Sequence, residues 1–174
     1  MREGPVNEIS RFFTLDEAVK TEHRQWIEPN RLWAEKYMPH VLRHARETMD
    51  HVRDILGVPV HVNSWVRCPG LNSAVGGSGT SDHTLGIIEG NPDFERVGAT
   101  DLTAPAFGTP YEVALALQAA MQAGKLEFRQ LIYEHTWVHV SSPRVFRGMP
   151  ERPLNQVLTL RRGGGYVPGI IREA

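Results

Sequence analysis

The chain has 174 residues, the size of one ordinary domain that can bury a hydrophobic core. Hydrophobic residues make up 41% of it and charged residues 22%, which excludes disordered and collagen-like proteins. The formal net charge of -1 gives no electrostatic footprint for nucleic acid, so we expect no nucleic-acid partner. No apolar run approaches the roughly 18 residues of a membrane span, so we expect no integral membrane association.

The chain contains one cysteine, Cys68, so it cannot form an intrachain disulfide. This fits synthesis in a reducing compartment, with Cys68 as a free thiol. Residues 1–8 lack the apolar core of a secretory signal. We therefore expect a chain that is made in the cytoplasm without a signal peptide.

Two helices and a strand are predicted in the first part of the chain. Thr14 and Glu17 form a capping box, which predicts a short helix through about residue 21. A longer helix is predicted from residue 29 or 30 to residue 56, where a glycine follows. The alternating, valine-rich residues 58–66 predict a strand that ends at an arginine.

Loops and a third helix follow this strand. Residues 69–80 carry four glycines and a proline, which predicts a loop. Residues 87–97 are polar and contain turn-forming residues, so they have the character of an inserted loop. Thr109 begins a helix that is predicted to end near Ala123.

The last part of the chain predicts short strands and a tail. Residues 131–133 and 137–141 have strand character and are joined by a tight connection. The tail that follows is rich in arginine, proline and glycine and contains one strand-like run, residues 156–160. The sequence contains no internal repeat and no sign of a second domain.

His83, Asp101 and His139 are the residues that point most directly to chemistry. Two imidazoles and a carboxylate form a common ligand set for zinc, and three protein ligands leave a fourth position for water at a hydrolytic site. Taken singly, His139 has an alternative explanation as a hydrogen-bonded strand histidine, and His83 as the cap of its loop. Together with Arg67 and the glycine-rich loop, they favour a metal site.

Several ordered runs carry a resemblance to a known family. They are Ser10–Glu17, Ser64-x-x-Arg67-x-Pro69, Asn72-x-x-Val75-Gly76-Gly77, Ser81-x-His83-x-x-Gly86, Gln130–Glu134 and Trp137–Ser141. Over residues 9–142 the chain resembles the zinc D-Ala-D-Ala carboxypeptidases and phage endolysin peptidases, in their compact phage-associated branch.

The resemblance implies a small α+β domain with a central antiparallel sheet flanked by helices and a zinc site on the sheet. We therefore expect one peptidase domain over residues 1–174, with a core at about 9–142. In this division, residues 87–97 are an inserted loop and residues 143–174 a C-terminal extension.

By the same resemblance, His83, Asp101 and His139 match the zinc ligands, with one Zn²⁺ per chain. The separation of His83 from Asp101 is wider than the family's usual spacing, and removal of residues 87–97 restores it. Since a longer surface loop costs little closure entropy, Asp101 remains the expected ligand. We predict that residues 87–97 form a flap at the rim of the site.

Two other carboxylates compete with Asp101 for the role of ligand. Asp82 is adjacent to His83, and in an extended segment its side chain would point elsewhere. Asp93 lies within the inserted segment and is the weaker alternative.

Three further residues are expected to contact substrate or support the site. Arg67 can hold a substrate carboxylate or a developing oxyanion, although an arginine at a strand end is often only a surface residue. Ser81 can hydrogen-bond a peptide or orient the ligand loop. Trp137 is expected to form a pocket wall, and a purely structural core role is its alternative.

The general base is expected to be Glu134 or His135. Water activated at a zinc site must lose a proton to a nearby carboxylate or imidazole. Many relatives carry a glutamate three residues before the last zinc histidine, where this chain has Thr136. Glu134 is preferred because the connection to Trp137 can turn it inward, and His135 is the alternative.

A second group of polar residues lies on the long predicted helix. His40 and His44 are four residues apart, with Glu47 and His51 following. This spacing can bind metal, but no glutamate stands beside His40 as the metalloprotease helix motif requires. We predict a solvated polar helix face.

The resemblance implies a zinc peptidase that hydrolyses an amide bond in peptidoglycan stem peptides, of the D-Ala-D-Ala carboxypeptidase or L-Ala-D-Glu endopeptidase type. It further implies a phage or prophage lysis enzyme that reaches the wall after release or as a virion component. The alternative is a non-catalytic phage structural or wall-binding module that retains the fold. The sequence leaves the oligomeric state open.

Overall fold

The computed structural model describes residues 7–173. The segment on which the expectation of no secretory signal mainly depends, residues 1–6, lies outside the described residues. No helix within residues 7–173 is long and apolar enough to cross a membrane.

Helices form the N-terminal third. Their bounds are α1 Leu15–Val19, α2 Ile27–Lys36, α3 Met38–His44 and α4 Asp50–Leu56, with a 3₁₀ turn at Arg24–Trp26 and a π turn at Ala45–Met49. The capping box of α1 is confirmed, because Thr14 accepts from the Glu17 amide while Glu17 reaches back to Thr14.

The predicted long helix is confirmed in outline but is divided. It breaks at Tyr37, because Pro39 in the first turn of α3 has no N–H with which to continue α2. Its end at Gly57 is confirmed. That glycine adopts a left-handed conformation with φ of 66° and donates its amide to the Arg53 carbonyl.

The main sheet has six strands in the order β1-β4-β6-β5-β9-β10. The strands are β1 His61–Ser64, β4 Ala99–Thr103, β5 Gln130–Tyr133, β6 Val138–Ser141, β9 Gln156–Leu160 and β10 Tyr166–Pro168. All neighbours are antiparallel except β5 and β9, which are parallel. The predicted α+β architecture with a largely antiparallel sheet is therefore confirmed.

A second, smaller sheet has the order β2-β3-β7-β8. Its strands are β2 Gly86–Ile88, β3 Asn91–Arg96, β7 Val145–Phe146 and β8 Met149–Pro150. The segment at residues 87–97 is therefore a β-hairpin paired with the tail rather than an irregular loop.

One face of the main sheet carries the hydrophobic core. Helix α6, Pro110–Gln122, packs on β5 and β6, and α4 packs on α6. The largest fully buried side chains include Trp65, Phe128, Met49, Leu102, Leu117 and Leu131. The helices thus cover one side of the sheet and leave the other available for a site.

Two predictions between residues 58 and 80 need correction. The strand is limited to β1, because the Val66 amide already bonds to the Ala18 carbonyl and the chain has left the sheet. The predicted loop at residues 69–80 begins with α5, Pro69–Ala74. Pro69 occupies the first helical position, where its fixed φ favours helix and its missing N–H costs nothing.

The tail after residue 142 is part of both sheets rather than an appendage. Strands β7 and β8 complete the smaller sheet, while β9 and β10 form one edge of the main sheet. The predicted strand at residues 156–160 is confirmed as β9. The folded unit therefore continues beyond residue 142, where the core was expected to end.

The prediction of a solvated polar helix face is wrong for His44. Its side chain is completely buried, with Nδ1 2.6 Å from Ser142 Oγ and Nε2 2.8 Å from Thr100 Oγ1. Its ring also lies edge-on to Trp65 at 5.0 Å. His40 is partly buried and pairs with Glu95 at 2.6 Å. Both histidines are wholly or partly buried by contacts with residues that are far away in the sequence. The periodicity of the helix cannot predict such contacts.

We expect Gly86→Ala to destabilise the fold more than Gly90→Ala. Both glycines have positive φ, 72° and 77°, so alanine at either costs about 1–2 kcal/mol of backbone strain. A Cβ at Gly86 would also collide with the Tyr37 ring, whereas at Gly90 it meets no described atom within 4 Å. The collision adds about 1–3 kcal/mol. Urea unfolding of the two variants measures the difference, and equal losses would contradict the close packing of Gly86 against Tyr37.

We expect His44 to make the fold sensitive to acid. Burial, helped by the charges of His83 and His139, lowers the pKa of His44 to about 3 from 6.5. Above pH 6.5 the imidazole is neutral in both states. Between about pH 6.5 and 3 only the unfolded chain takes up the proton, so stability falls by up to about 1.4 kcal/mol per pH unit.

The measurement is the free energy of unfolding against pH for metal-free wild type and His44→Gln. The wild type should lose more stability than the variant as the pH falls. Exposed His51 supplies the control, since His51→Gln should keep the wild-type slope. Parallel curves for wild type and His44→Gln would refute the assignment.

Candidate metal centre

The pairing of β4 with β6 brings two of the predicted ligands together. Asp101 and His139 are directly opposite each other in the antiparallel register. Because side chains alternate along a strand, His139 projects to the face opposite Val138 and Val140, both of which are fully buried in the core. Ile132 of β5 continues the same cross-strand row beside His139. The two candidate ligands thus stand on the face that the helices leave uncovered.

His83 reaches this face from a 3₁₀ turn, Asp82–Thr84. Ser81 caps the turn, since its Oγ accepts from the His83 amide at 3.4 Å. The His83 carbonyl accepts from the Arg67 amide at 2.9 Å. Ser81 therefore lies where it can orient the ligand loop, one of the two roles predicted for it.

The orientation of the His83 ring follows from one hydrogen bond. Nδ1 lies 2.7 Å from the Trp65 carbonyl, an acceptor, so Nδ1 carries the proton and donates it. Nε2 then presents a lone pair toward Asp101 and His139. A backbone carbonyl that fixes the tautomer of a histidine is the usual support for a metal ligand.

The donor atoms of the three residues converge. Asp101 Oδ1 is 3.1 Å from His83 Nε2 and 2.9 Å from His139 Nδ1. One ligand atom from each residue lies within 4.8 Å of the others, and all three residues are buried. Two imidazole nitrogens and one carboxylate oxygen around a common point fit the zinc ligand set, with room for a fourth ligand from the cleft.

Electrostatics within this cluster are strongly coupled. Burial raises the pKa of Asp101, but the charges and hydrogen bonds of His83 and His139 outweigh burial and hold it below its ordinary value. Burial lowers the pKa of His83 despite the nearby carboxylate. Burial also lowers the pKa of His139, but its hydrogen bond to Asp101 reverses the net shift and raises it. The cluster therefore holds an ionised carboxylate between two imidazoles, and a bound cation would take the place of the proton that this carboxylate favours on His139.

Arg67 lies in the cleft as predicted, but its contact is with a candidate ligand. Its Nη2 donates to Asp101 Oδ2 at 2.7 Å and its Nε to Ser64 Oγ at 2.9 Å. Asp101 therefore has one oxygen held by the guanidinium while the other faces the two histidines. Arg67 therefore positions Asp101, and it also lines the cleft.

Glu134 lines the same cleft as the three candidate ligands, a cavity of about 700 Å³. Gln130, Ile132 and Glu134 alternate along β5 and its end, and all three line the cleft, whereas Leu131 and Tyr133 face the core. Burial, and then the negative charge of Asp101, raise the pKa of Glu134. Trp137, which is expected to form a pocket wall, also lines the cleft.

The structure does not bring His135 to the site. Its Nε2 lies 2.7 Å from the Leu160 carbonyl on β9, and it is not among the residues that line the cleft. Its backbone has φ of 62°, in the tight connection between β5 and β6. Of the two proposed bases, only Glu134 shares the cleft with the candidate ligands.

The two competing carboxylates pair with arginines and are not part of the metal-ligating group found among residues 7–173. Asp82 pairs with Arg144 at 2.8 Å, and Asp93 with Arg147 at 3.1 Å. Cys68 is buried and is not part of the metal-ligating group found among residues 7–173.

The prediction of a flap at the rim of the site is wrong for residues 87–97. None of them lines the cleft. The hairpin instead supports the ligand turn from outside, since Arg96 donates to Thr84 Oγ1 at 2.6 Å and to the Gly79 carbonyl at 3.2 Å. Pairing with β7 draws the hairpin away from the cleft.

Sequence reasoning missed several residues that line the cleft. They are Arg129, Gln130, Arg144, Leu158 and Tyr166. The strand alternation that places Glu134 also identifies Gln130, so this signal was present in the sequence. The other three belong to the tail, where the sequence gives no such signal. Leu158 and Tyr166 reach the site because β9 pairs with β5, and Arg144 reaches it because of the position of the β6–β7 connection.

These features define a class: an α+β protein with a cluster that could hold a metal ion and a carboxylate in the same cleft, the arrangement of a metal-dependent hydrolase. A family model described as Peptidase M15 matches residues 14–141, so the chain belongs to the Peptidase M15 family, as its sequence predicted. Membership supports, in general, the function of a zinc peptidoglycan peptidase. No curated protein matches the chain.

We expect purified wild-type protein to bind one zinc ion per chain and His139→Ala to bind none tightly. Arg67→Gln should weaken binding by about 10-fold to 100-fold, because the guanidinium holds the candidate ligand Asp101. Zinc titration with a chromogenic competitor measures both. His51→Ala, which removes an exposed imidazole, should retain wild-type affinity. Full zinc affinity in His139→Ala would exclude this cluster as the metal site.

Proposed function

We propose that the chain hydrolyses an amide bond within the stem peptides of bacterial peptidoglycan, with His83, Asp101 and His139 holding one zinc ion. The observation that carries this proposal is the convergence of the three ligand atoms on the wall of a cleft that Glu134 also lines. The family supports peptidoglycan as the general substrate.

The residues of the cleft have separate tasks in this reaction. The chemistry that a zinc ion supplies when bound is Lewis acidity: polarisation of a carbonyl group and acidification of water. Glu134 accepts the proton of the attacking water and passes it to the amine that leaves. Its raised pKa strengthens the carboxylate as an acceptor of the proton from water, and the proton then passes on because the protonated amine is still the weaker acid.

Arg67 contributes in two ways. It keeps Asp101 Oδ2 occupied, so that Oδ1 stays turned toward the histidines. Because Arg67 also lines the cleft, its guanidinium can stabilise negative charge that develops on the scissile carbonyl oxygen. Trp137 forms part of the wall of the same cleft, where it can contact the substrate.

We infer that the bond is internal to the peptide. A second cleft of about 530 Å³ shares Arg67, Asp101 and Trp137 with the first as lining residues, so we take the two clefts to be continuous past these residues. A peptide that is bound next to the candidate metal ligands can therefore extend into both clefts. A carboxypeptidase needs one closed side because it accepts only a chain end, so the open arrangement favours endopeptidase action over removal of a terminal D-Ala.

The biological setting is proposed from the resemblance to phage-associated peptidases. We propose a phage or prophage lysis enzyme that meets the wall after release or as part of a virion. The competing class, a non-catalytic wall-binding module with the same fold, retains the metal site but releases no product.

The decisive experiment treats purified peptidoglycan with the zinc-loaded protein and measures new amino termini, with and without chelator. We expect release that stops when zinc is removed and returns when it is restored. Stoichiometric zinc without released amines would exclude the peptidase and leave the binding module. Mass spectrometry of the released fragments identifies the bond, and free D-Ala as the sole product would contradict endopeptidase action.

We expect Glu134→Gln to lower kcat by about 100-fold to 10,000-fold, because the carboxamide cannot take the proton from water. Zinc binding should be retained, since Glu134 is not one of the three proposed ligands. His135→Gln is the matched control at the next residue and should keep most of the activity, because its ring faces β9. The reverse pattern, an active Glu134→Gln and an inactive His135→Gln, would show that the base is misassigned.

A further inference from the structure

Two arginines stand together at one end of the main cleft, next to the metal-binding residues. Arg129 immediately precedes β5, and Arg144 lies in the connection between β6 and β7. Both line the cleft, and their side chains are 18% and 16% exposed. Neither takes part in the chemistry described above.

The two guanidiniums converge on one buried carboxylate. Arg144 Nε is 2.8 Å from Asp82 Oδ1, and Arg129 Nε is 3.6 Å from Asp82 Oδ2. Asp82 is adjacent to His83 and only 5% exposed. The pair of arginines is thereby fixed at a constant position relative to the metal-binding residues.

Positive charge exceeds negative charge around Asp82. A third guanidinium, Arg96, is buried nearby and donates only to the neutral oxygens of Thr84 and Gly79. Within residues 7–173, Arg96 has no carboxylate within 4.0 Å, and Glu151 is the only other carboxylate paired with Arg129. Three cations therefore share two carboxylates, which leaves a local excess of one positive charge.

Donor groups remain for a ligand at this position. A guanidinium has five N–H groups. Hydrogen bonds within the described residues use Nε and Nη2 of Arg144 and Nη1 of Arg129. The Nε of Arg129 is buried against Asp82, so the groups left for a ligand are Nη1 of Arg144 and Nη2 of Arg129. Paired forks of this kind are suited to a planar carboxylate, which guanidinium binds with two parallel hydrogen bonds.

We propose that Arg129 and Arg144 form a carboxylate-binding subsite, and that the enzyme selects stem peptides with a free carboxylate on this side of the scissile bond. This inference rests on the proposed function, because it names the substrate class of the same cleft. The second cleft is lined by Lys20, Glu22 and His23 in place of this arginine pair, so the two ends of the groove differ in what they can recognise.

The test uses two synthetic stem peptides that differ at one group, a free carboxylate or the corresponding carboxamide. Wild type should cleave the carboxylate peptide with a kcat/KM about 10-fold to 100-fold higher, the value of a hydrogen bond between charged groups. In Arg144→Gln and Arg129→Gln this ratio should fall toward one. The matched control is Arg147→Gln, which removes an exposed arginine outside the cleft and should keep the wild-type ratio.

A ratio near one in the wild type would overturn the subsite. Equal losses on both peptides in Arg144→Gln, with the ratio preserved, would also overturn it, because they would mark a purely structural role of the pair with Asp82. Calorimetric binding of the same peptides to Glu134→Gln separates this inference from the proposed function. If wild type cleaves neither peptide, the peptidase proposal fails. A preference for the carboxylate peptide in binding would then still support the subsite, and equal affinities would refute it.

Discussion

The buried carboxylate of Asp101 is the constraint on which the site depends. It meets Arg67 through one oxygen and the two histidines through the other, and each partner comes from a different element. A buried carboxylate is costly unless its charge is matched and its lone pairs are used. Burial of the Asp101 carboxylate is therefore stable only when two conditions hold. Strands β1, β4 and β6 must pair in the observed register, and the ligand turn must lie beside them.

The candidate ligands are themselves held in position by hydrogen bonds from other residues. The Trp65 carbonyl selects the tautomer of His83, and Ser81 caps its turn. Beneath the sheet, buried His44 ties Thr100 of β4 to Ser142 at the end of β6. The two strands that present Asp101 and His139 are thus joined by side chains as well as by their ladder. Such support holds ligands within the narrow geometry that a metal site needs.

Local signals predicted much of the fold. Both capping boxes, at Thr14 and Thr109, begin helices as expected, and the glycine that ends the long helical stretch has the required left-handed backbone. The predictions failed where contacts with residues far away in the sequence outweigh the local amino-acid composition. The polar, turn-rich residues 87–97 form strands because β2 and β3 pair with each other and β3 pairs with β7. Buried His44 has both ring nitrogens matched by hydroxyls from other parts of the chain.

The sequence alone determined the candidate ligand set, because two histidines and an aspartate in the motif order of a zinc peptidase leave few other roles. It also limited the residues expected to face these ligands as general base to two neighbours, Glu134 and His135, because they precede the last candidate ligand closely and can take a proton. Only the tertiary structure decided which, because the β5–β6 connection sets the direction. The arginines around Asp82 were likewise decided by tertiary structure. They lie far from it in sequence, and only the pairing of strands brings their charges together.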